Sequence, residues 1–171
     1  MIIGIGGVSR AGKTTLANLL KKRLKGKTIS ILNQDEFVKK AGLPEINNHI
    51  DWEHPDSMDW ISLRKKIKAE SRKNEITIVE GLFAFYDEKI ASMYDLPIFM
   101  AIEKDTFLVR KRKDKRWGKE PDWFIHHIWN SYLKYGKLPA FIPEVLVING
   151  TQKADIGQIV STFILNKLVI H

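Results

Sequence analysis

The sequence predicts an α/β fold: a five-stranded parallel sheet with helices on both faces and a short basic lid. Three observations lead to it. Short apolar runs alternate with helical stretches along the 171 residues, the pattern of a parallel sheet buried on both sides. The first apolar run ends in a glycine-rich turn that leads straight into a helical pattern. A dense cluster of cations follows the fourth run, ahead of a break rich in glycine and proline.

Taken in order, Met1-Ile2-Ile3-Gly4-Ile5-Gly6 reads as the first strand, and Gly7-Val8-Ser9-Arg10-Ala11-Gly12-Lys13-Thr14 follows it directly. This is the pattern Gly-x-x-x-x-Gly-Lys-Thr in its required setting of strand, turn and helix. The backbone N–H groups of such a turn form an anion nest, and Gly7 and Gly12 supply the backbone angles and close approach that a phosphate needs. Thr14 and Thr15 open a helix whose N-terminal dipole and unpaired N–H groups add to the same site. Lys13 reaches the outer phosphates as a mobile charge, and the Thr14 hydroxyl suits Mg²⁺. Gly7, Ser9, Arg10, Ala11, Gly12, Lys13, Thr14 and Thr15 are therefore the expected nucleotide-binding residues of a P-loop NTPase fold.

Further strands are read at Ile29–Leu32, Ile76–Glu80, Leu96–Ile102 and Val145–Ile148. Helices are expected at about 13–25, 57–72, 86–93, 104–116, 122–136 and 154–168. Asp56 or Ser57 is the expected cap of the second helix, and Asp122 after Pro121 opens a later one. Gly118-Lys119-Glu120-Pro121 breaks the chain between two helices and marks the tip of a lid spanning about 109–122.

Composition narrows the class. With 44% hydrophobic residues, a chain of 171 makes one compact domain over 1–171. The lack of cysteine excludes disulfides, thiolate metal sites and a cysteine nucleophile. No run approaches the ~20 apolar residues of a membrane span, so the expectation is a cytoplasmic protein with no membrane partner, monomeric or homodimeric. The net charge of +8 admits a nucleic-acid partner or an anionic small substrate. Lys21, Lys22, Arg23, Lys25 and Lys27 crowd the end of the first helix, where cations complement the dipole. Arg110, Lys111, Arg112, Lys113, Lys115, Arg116 and Lys119 place seven cations in ten residues, a density that a polyanion lying across them would relieve.

In open α/β sheets ligands collect beyond the carboxyl ends of the strands. Asn33-Gln34-Asp35-Glu36 follows the second strand there, and Glu80-Gly81 ends the third. Asp35 suits the group that orients or deprotonates an attacking hydroxyl, with a turn-capping role as the alternative; Glu36 points the other way. Glu80 closes an apolar run and would be costly to bury unpaired, a cost that Mg²⁺ offsets. The guanine-reading motif Asn-Lys-x-Asp is missing, since Asn166-Lys167-Leu168-Val169 lacks its aspartate, which argues against a regulatory GTPase. His126 and His127 adjoin on a helix and cannot share a face, so they make no metal pair. Trp129, Tyr132 and Tyr135 fall at helical spacing and read as packing.

Several segments together resemble the uridine-kinase-like branch of P-loop kinases: Gly7 to Thr15, Gln34-Asp35-Glu36-Phe37, Asp51 with Met58, Ile78-Val79-Glu80-Gly81-Leu82, Arg110 to Trp117, His127-Ile128-Trp129, Tyr132-Leu133-Lys134-Tyr135 and Asn149-Gly150-Thr151. Within that branch the likeness is to the nicotinamide riboside kinases. The resemblance implies ATP as phosphoryl donor, Mg²⁺ as cofactor and a small riboside as substrate. It implies Asp35 as the catalytic aspartate, with Lys13 and the lid arginines Arg112 and Arg116 assisting and Lys115 as the alternative to Arg116. Asp51 falls where a carboxylate binds the ribose hydroxyls and Arg112 where an arginine contacts the ribose. Thr14 and Glu80 fall at the metal, and Asn149 and Gly150 near the adenine. Trp117 would stack on the base and Asp122 would accept from a carboxamide, or cap its helix. Ile50 stands where the resemblance implies a second aromatic ring, with Trp52, Trp123 and Phe83 as substitutes.

Overall fold

A computed structural model describes residues 1–165 apart from 117, 143, 153, 154, 156 and 157. Five strands, β1 (Ile2–Gly6), β2 (Ile29–Asn33), β5 (Ile76–Gly81), β6 (Leu96–Ala101) and β7 (Leu146–Asn149), form one parallel sheet in the order β2-β5-β1-β6-β7. All five match the apolar runs read from the sequence. Each middle strand is apolar almost throughout because helices cover both faces; β5 is buried along its whole length.

Between the strands run α1 (Lys13–Arg23), α2 (Trp60–Ser71), α3 (Glu88–Ala91), α4 (Lys104–Arg112) and α5 (Asp122–Tyr135). On one face Leu63 and Ile67 of α2 and Ile90 of α3 pack on Leu32 and Val79. On the other, Leu16, Ala17 and Leu20 of α1 and Ile125, Ile128, Trp129 and Tyr132 of α5 share a core with Ile3, Ile5, Ile78 and Ile98. Phe107 of α4 is fully buried against Trp129, ring centroids 5.3 Å apart. The helical-spacing aromatics of α5 thus belong to packing, as their periodicity indicates.

Three local expectations are corrected. The cap of α2 is Asp59, whose carboxylate accepts the Ser62 N–H, and not Asp56 or Ser57. Pro55-Asp56-Ser57 instead forms a 3₁₀ turn, which the fixed φ of Pro55 starts early. The fourth helix stops at Arg112 rather than near 116. A small antiparallel hairpin, β3 (Glu45–Ile46) and β4 (His49–Ile50), was not legible as strands; Asn47 and Asn48 turn it with φ of 48° and 59°. Of the expected last helix, Ile159–Leu165 is π-helical. Among the described residues no helix is long and apolar enough to cross a membrane.

Candidate active site

Strand register brings the chemistry together. Glu80 lies beside Ile5 of β1 on one side and Asn33 of β2 on the other. The turn after β1, the carboxylate at the end of β5 and the Asp35 turn after β2 therefore emerge side by side at the carboxyl edge of the sheet.

The turn itself is a formed phosphate cradle. Gly7 holds φ of 137°, and a Cβ there would strike the Met100 carbonyl, so only glycine fits. Arg10 takes φ of 66°, and the Ala11 N–H closes the turn on the Val8 carbonyl at 3.1 Å. Lys13 folds back so that its Nζ donates to the same carbonyl at 3.1 Å. Burial pushes the Lys13 pKa down, while Glu80, Asp35 and Glu53 oppose that shift. Gly150, just past β7, packs on this loop: its N–H donates to Ala101 and a Cβ would come within 2.5 Å of the Ala11 carbonyl. The Asn149 carboxamide oxygen accepts from Thr151, shaping the same turn. Ser9 is half-buried beside the cradle, and Thr15 is exposed on α1.

Thr14 Oγ1 donates to Glu80 Oε1 at 2.8 Å, and Glu80 is only 2% exposed. Burial pushes the Glu80 pKa up, against the pull of Lys13 and the Thr14 hydrogen bond. Two hard oxygen donors at a helix N-terminus beside a phosphate cradle fit Mg²⁺, which takes few protein ligands and completes its shell with phosphate and water.

Asp35 sits in a 3₁₀ turn capped by Asn33, whose side chain accepts the Asp35 N–H at 2.9 Å. The capping duty thus falls to Asn33 and leaves the Asp35 carboxylate exposed. Its charge bears on Lys13, Glu53, Glu80 and Arg116. Neighbouring Gln34 is buried; its Oε1 accepts the Phe83 N–H at 3.0 Å and fixes the turn against the end of β5.

Glu53 is a member of this site that sequence reasoning missed. Burial, with Asp35 adding, pushes its pKa up to about 7, while Lys111 opposes. The signal available was a carboxylate in an irregular stretch between a hairpin and Pro55, too weak to separate from a surface residue. Asp51, by contrast, is 5% exposed, and its Oδ1 is taken by His127 Nε2 at 2.8 Å and the Glu53 N–H at 3.0 Å. It braces the loop after β4 against α5 and turns the backbone that carries Glu53.

Four of the seven clustered cations are engaged within the chain. Lys111 is buried with Glu120 at 2.8 Å, Arg112 Nε pairs with Asp122 at 3.3 Å, Arg116 grips Asp114, and Arg110 donates to the Arg10 carbonyl at 3.1 Å. Internal pairing thus relieves much of the repulsion among these cations without a polyanion. Arg112 and Asp122, both expected at the substrate, meet each other on the exposed side of the lid. Of the alternatives Lys115 and Arg116, it is Arg116 whose charge reaches Lys13 and Glu80. Trp117 lies outside the described residues. Among its proposed partners, Phe83 is buried in a cluster with Trp60, Tyr86 and Tyr135. Trp123 is partly exposed and meets His49 at 5.6 Å, while Ile50 of β4 and Trp52 just beyond that strand are exposed.

A glycine-shaped phosphate turn at the carboxyl edge of a five-stranded parallel sheet, with a buried carboxylate on its threonine, is the arrangement of a P-loop kinase fold. The Phosphoribulokinase / Uridine kinase family pattern matches residues 64–120. The uridine kinase of Schizosaccharomyces pombe is 34% identical over 64% of this chain, which spans 30% of that protein's length. Nicotinamide riboside kinase 1 of Homo sapiens is 27% identical over 90% of this chain and 86% of its own. A sugar kinase structure from Janibacter sp. HTCC2649 shares the fold, with a TM-score of 0.61 at 15% identity over 94% of this chain and 90% of its own. The resemblance to the uridine-kinase-like family is borne out, and these relatives support a small-metabolite P-loop kinase, a phosphotransferase with an alcohol group as acceptor.

Proposed function

We propose that the chain transfers the γ-phosphoryl group of ATP, with Mg²⁺, to the 5′-hydroxyl of a small riboside, nicotinamide riboside first. The observation that carries this reading is the convergence at one sheet edge of the phosphate turn with Lys13, the buried Glu80 accepting from Thr14 Oγ1 at 2.8 Å and the exposed Asp35 after β2, a charged cluster that Glu53 and Arg116 join. Phosphoryl transfer asks mainly for positioning and for neutralisation of spreading charge, and this cluster supplies both.

The loop amides and Lys13 hold the β- and γ-phosphates. Thr14 and Glu80 would hold Mg²⁺, which supplies charge neutralisation on the phosphate oxygens when bound. Asp35 orients the acceptor hydroxyl and takes its proton as the oxygen bonds to the γ-phosphorus; the bond to the β,γ-bridging oxygen breaks and ADP leaves. Arg116 faces the equatorial oxygens, a task suited to a planar guanidinium. Glu53 lies on the acceptor side, where a carboxylate accepts hydrogen bonds from a vicinal diol, and Asp51 holds the loop that presents it. Trp123, which meets the His49 ring at 5.6 Å, offers a partly exposed aromatic face for the base, and Arg112 and Asp122 are the further polar groups assigned to the substrate. Asn149 and Gly150 lie at the adenine side of the phosphate turn.

Support for a riboside comes from the names of the relatives, uridine kinase and nicotinamide riboside kinase; uridine or cytidine is therefore the second candidate acceptor. Asp35→Asn tests the mechanism. Turnover should fall by about 10²- to 10⁴-fold, the worth of a positioned general base, while ATP affinity stays within about twofold. Retained turnover with lost ATP binding would count against it.

A further inference from the structure

The lid carries a second, internal site built around Asp114. Its side chain is only 3% exposed although it lies in a run of cations. Arg116 wraps it with three kinds of donor: the backbone N–H at 3.2 Å, Nε at 2.9 and 3.1 Å to the two carboxylate oxygens, and Nη2 at 2.7 Å. On its other side Arg10 of the phosphate turn approaches to 3.7 Å. The Arg10 carbonyl in turn accepts from Arg110 Nη1 at 3.1 Å. One carboxylate therefore joins the lid to the left-handed residue of the phosphate turn.

The geometry of the fork matters more than the charge. A guanidinium has five N–H groups in a plane. Asp114 takes the Nε/Nη2 edge, and among the described residues no protein group occupies Nη1. The edge left over points its donors away from Asp114, and the charge of Arg116 is felt by Asp35, Glu80 and Lys13. Asp114 therefore leaves one edge of the Arg116 fork free.

We propose that Asp114 is a positioning residue that clamps Arg116 by one edge and Arg10 by its side chain, so that the free edge of Arg116 meets the γ-phosphoryl group once the phosphate turn is filled. The lid and the phosphate turn then respond to the terminal phosphate as one unit. The inference rests on the phosphoryl-transfer reading for the placement of Arg116, but its consequence is visible without any acceptor. Discrimination between ATP and ADP should depend on Asp114, and only through Arg116.

The experiment measures ATP and ADP affinity by calorimetry in the presence of Mg²⁺ for the wild type, Asp114→Asn, Arg116→Ala and the double variant. Loss of one charge-assisted hydrogen bond to the terminal phosphate predicts that the ATP:ADP affinity ratio falls about tenfold in each single variant, with ADP affinity within about twofold. In the double variant the ratio should fall no further than in Arg116→Ala, because the two residues act in series. An additive loss, or an equal loss of ADP, overturns the proposal. Arg116→Lys gives an independent reading if Asp114→Asn does not fold, since this side chain is 60% exposed and the replacement keeps the charge without the fork. The ratio should fall as far as in Arg116→Ala, and an unchanged ratio overturns the proposal. A chain that phosphorylates a riboside but binds ATP and ADP equally loses this inference and keeps the function; one that shows the coupled ratio but accepts no riboside does the reverse.

Discussion

Asp51 decides between two uses of a carboxylate on the acceptor side. The resemblance implies that it touches the ribose, whereas the structure buries it to 5% exposure and gives its Oδ1 two donors, His127 Nε2 at 2.8 Å and the Glu53 N–H at 3.0 Å. Replacing it with alanine removes both bonds and leaves His127, itself on a helix face packed toward the loop, without its partner. Hydrogen bonds to a charged group contribute about 1.5–3 kcal/mol each, and water entering the gap recovers part of that, so a net loss of about 2–4 kcal/mol follows for Asp51→Ala. For a chain of this size each kcal/mol lowers Tm by about 2–4 °C, so the expected drop is roughly 5–15 °C by calorimetry or thermal fluorescence. His127→Ala should produce a drop of similar size, and the double variant should be far less destabilised than the sum. If Asp51→Ala leaves Tm within about 1 °C while acceptor KM rises steeply, the bracing role is wrong and the carboxylate meets the substrate directly.

Glu53 gives a pH signature. Its pKa in the folded chain, about 7, lies above the ordinary carboxylate value of 4.5, so folding disfavours its ionised form. Between those values the folded chain keeps a proton that the unfolded chain has released, and stability contributed at this residue declines as pH rises through the window and then levels. Thermal melts of Glu53→Gln against the wild type should show the variant gaining relative stability from about pH 5 to about pH 8; a constant difference contradicts the burial argument. For the metal pair, Glu80→Gln should raise the Mg²⁺ concentration needed for half-maximal turnover about tenfold or more, read from a Mg²⁺ titration at saturating ATP. An unaltered Mg²⁺ requirement would leave Glu80 a purely structural partner of Thr14.

The sheet was legible because fully buried parallel strands write themselves as apolar runs, and Ile76–Gly81 is buried at every position. The phosphate turn was legible because its glycines and lysine are required by backbone geometry and charge at fixed spacing. What escaped was set by tertiary context. The hairpin at Glu45–Ile50 consists of two-residue strands turned by Asn47 and Asn48, with no alternation to read. The start of α2 slipped to Asp59 because Pro55-Asp56-Ser57 closes its own turn first. Glu53 and Asp114 look like unremarkable acids in the sequence. They acquire roles only when distant groups arrive: Lys13 and Asp35 beside the first, Arg10 beside the second. The basic lid shows the reverse effect, since its density in the sequence suggested a polyanion while Glu120, Asp122 and Asp114 answer much of it internally.

The central claim is that this cleft moves a phosphoryl group onto a riboside alcohol. Product mass after incubation with ATP and Mg²⁺ tests it most directly, with nicotinamide riboside, uridine, cytidine and adenosine offered in turn, each beside its 5′-deoxy analogue. The account predicts one added phosphoryl group on at least one riboside and none on its 5′-deoxy form. No phosphorylated riboside across the panel, together with tight and salt-dependent oligonucleotide binding, would contradict it.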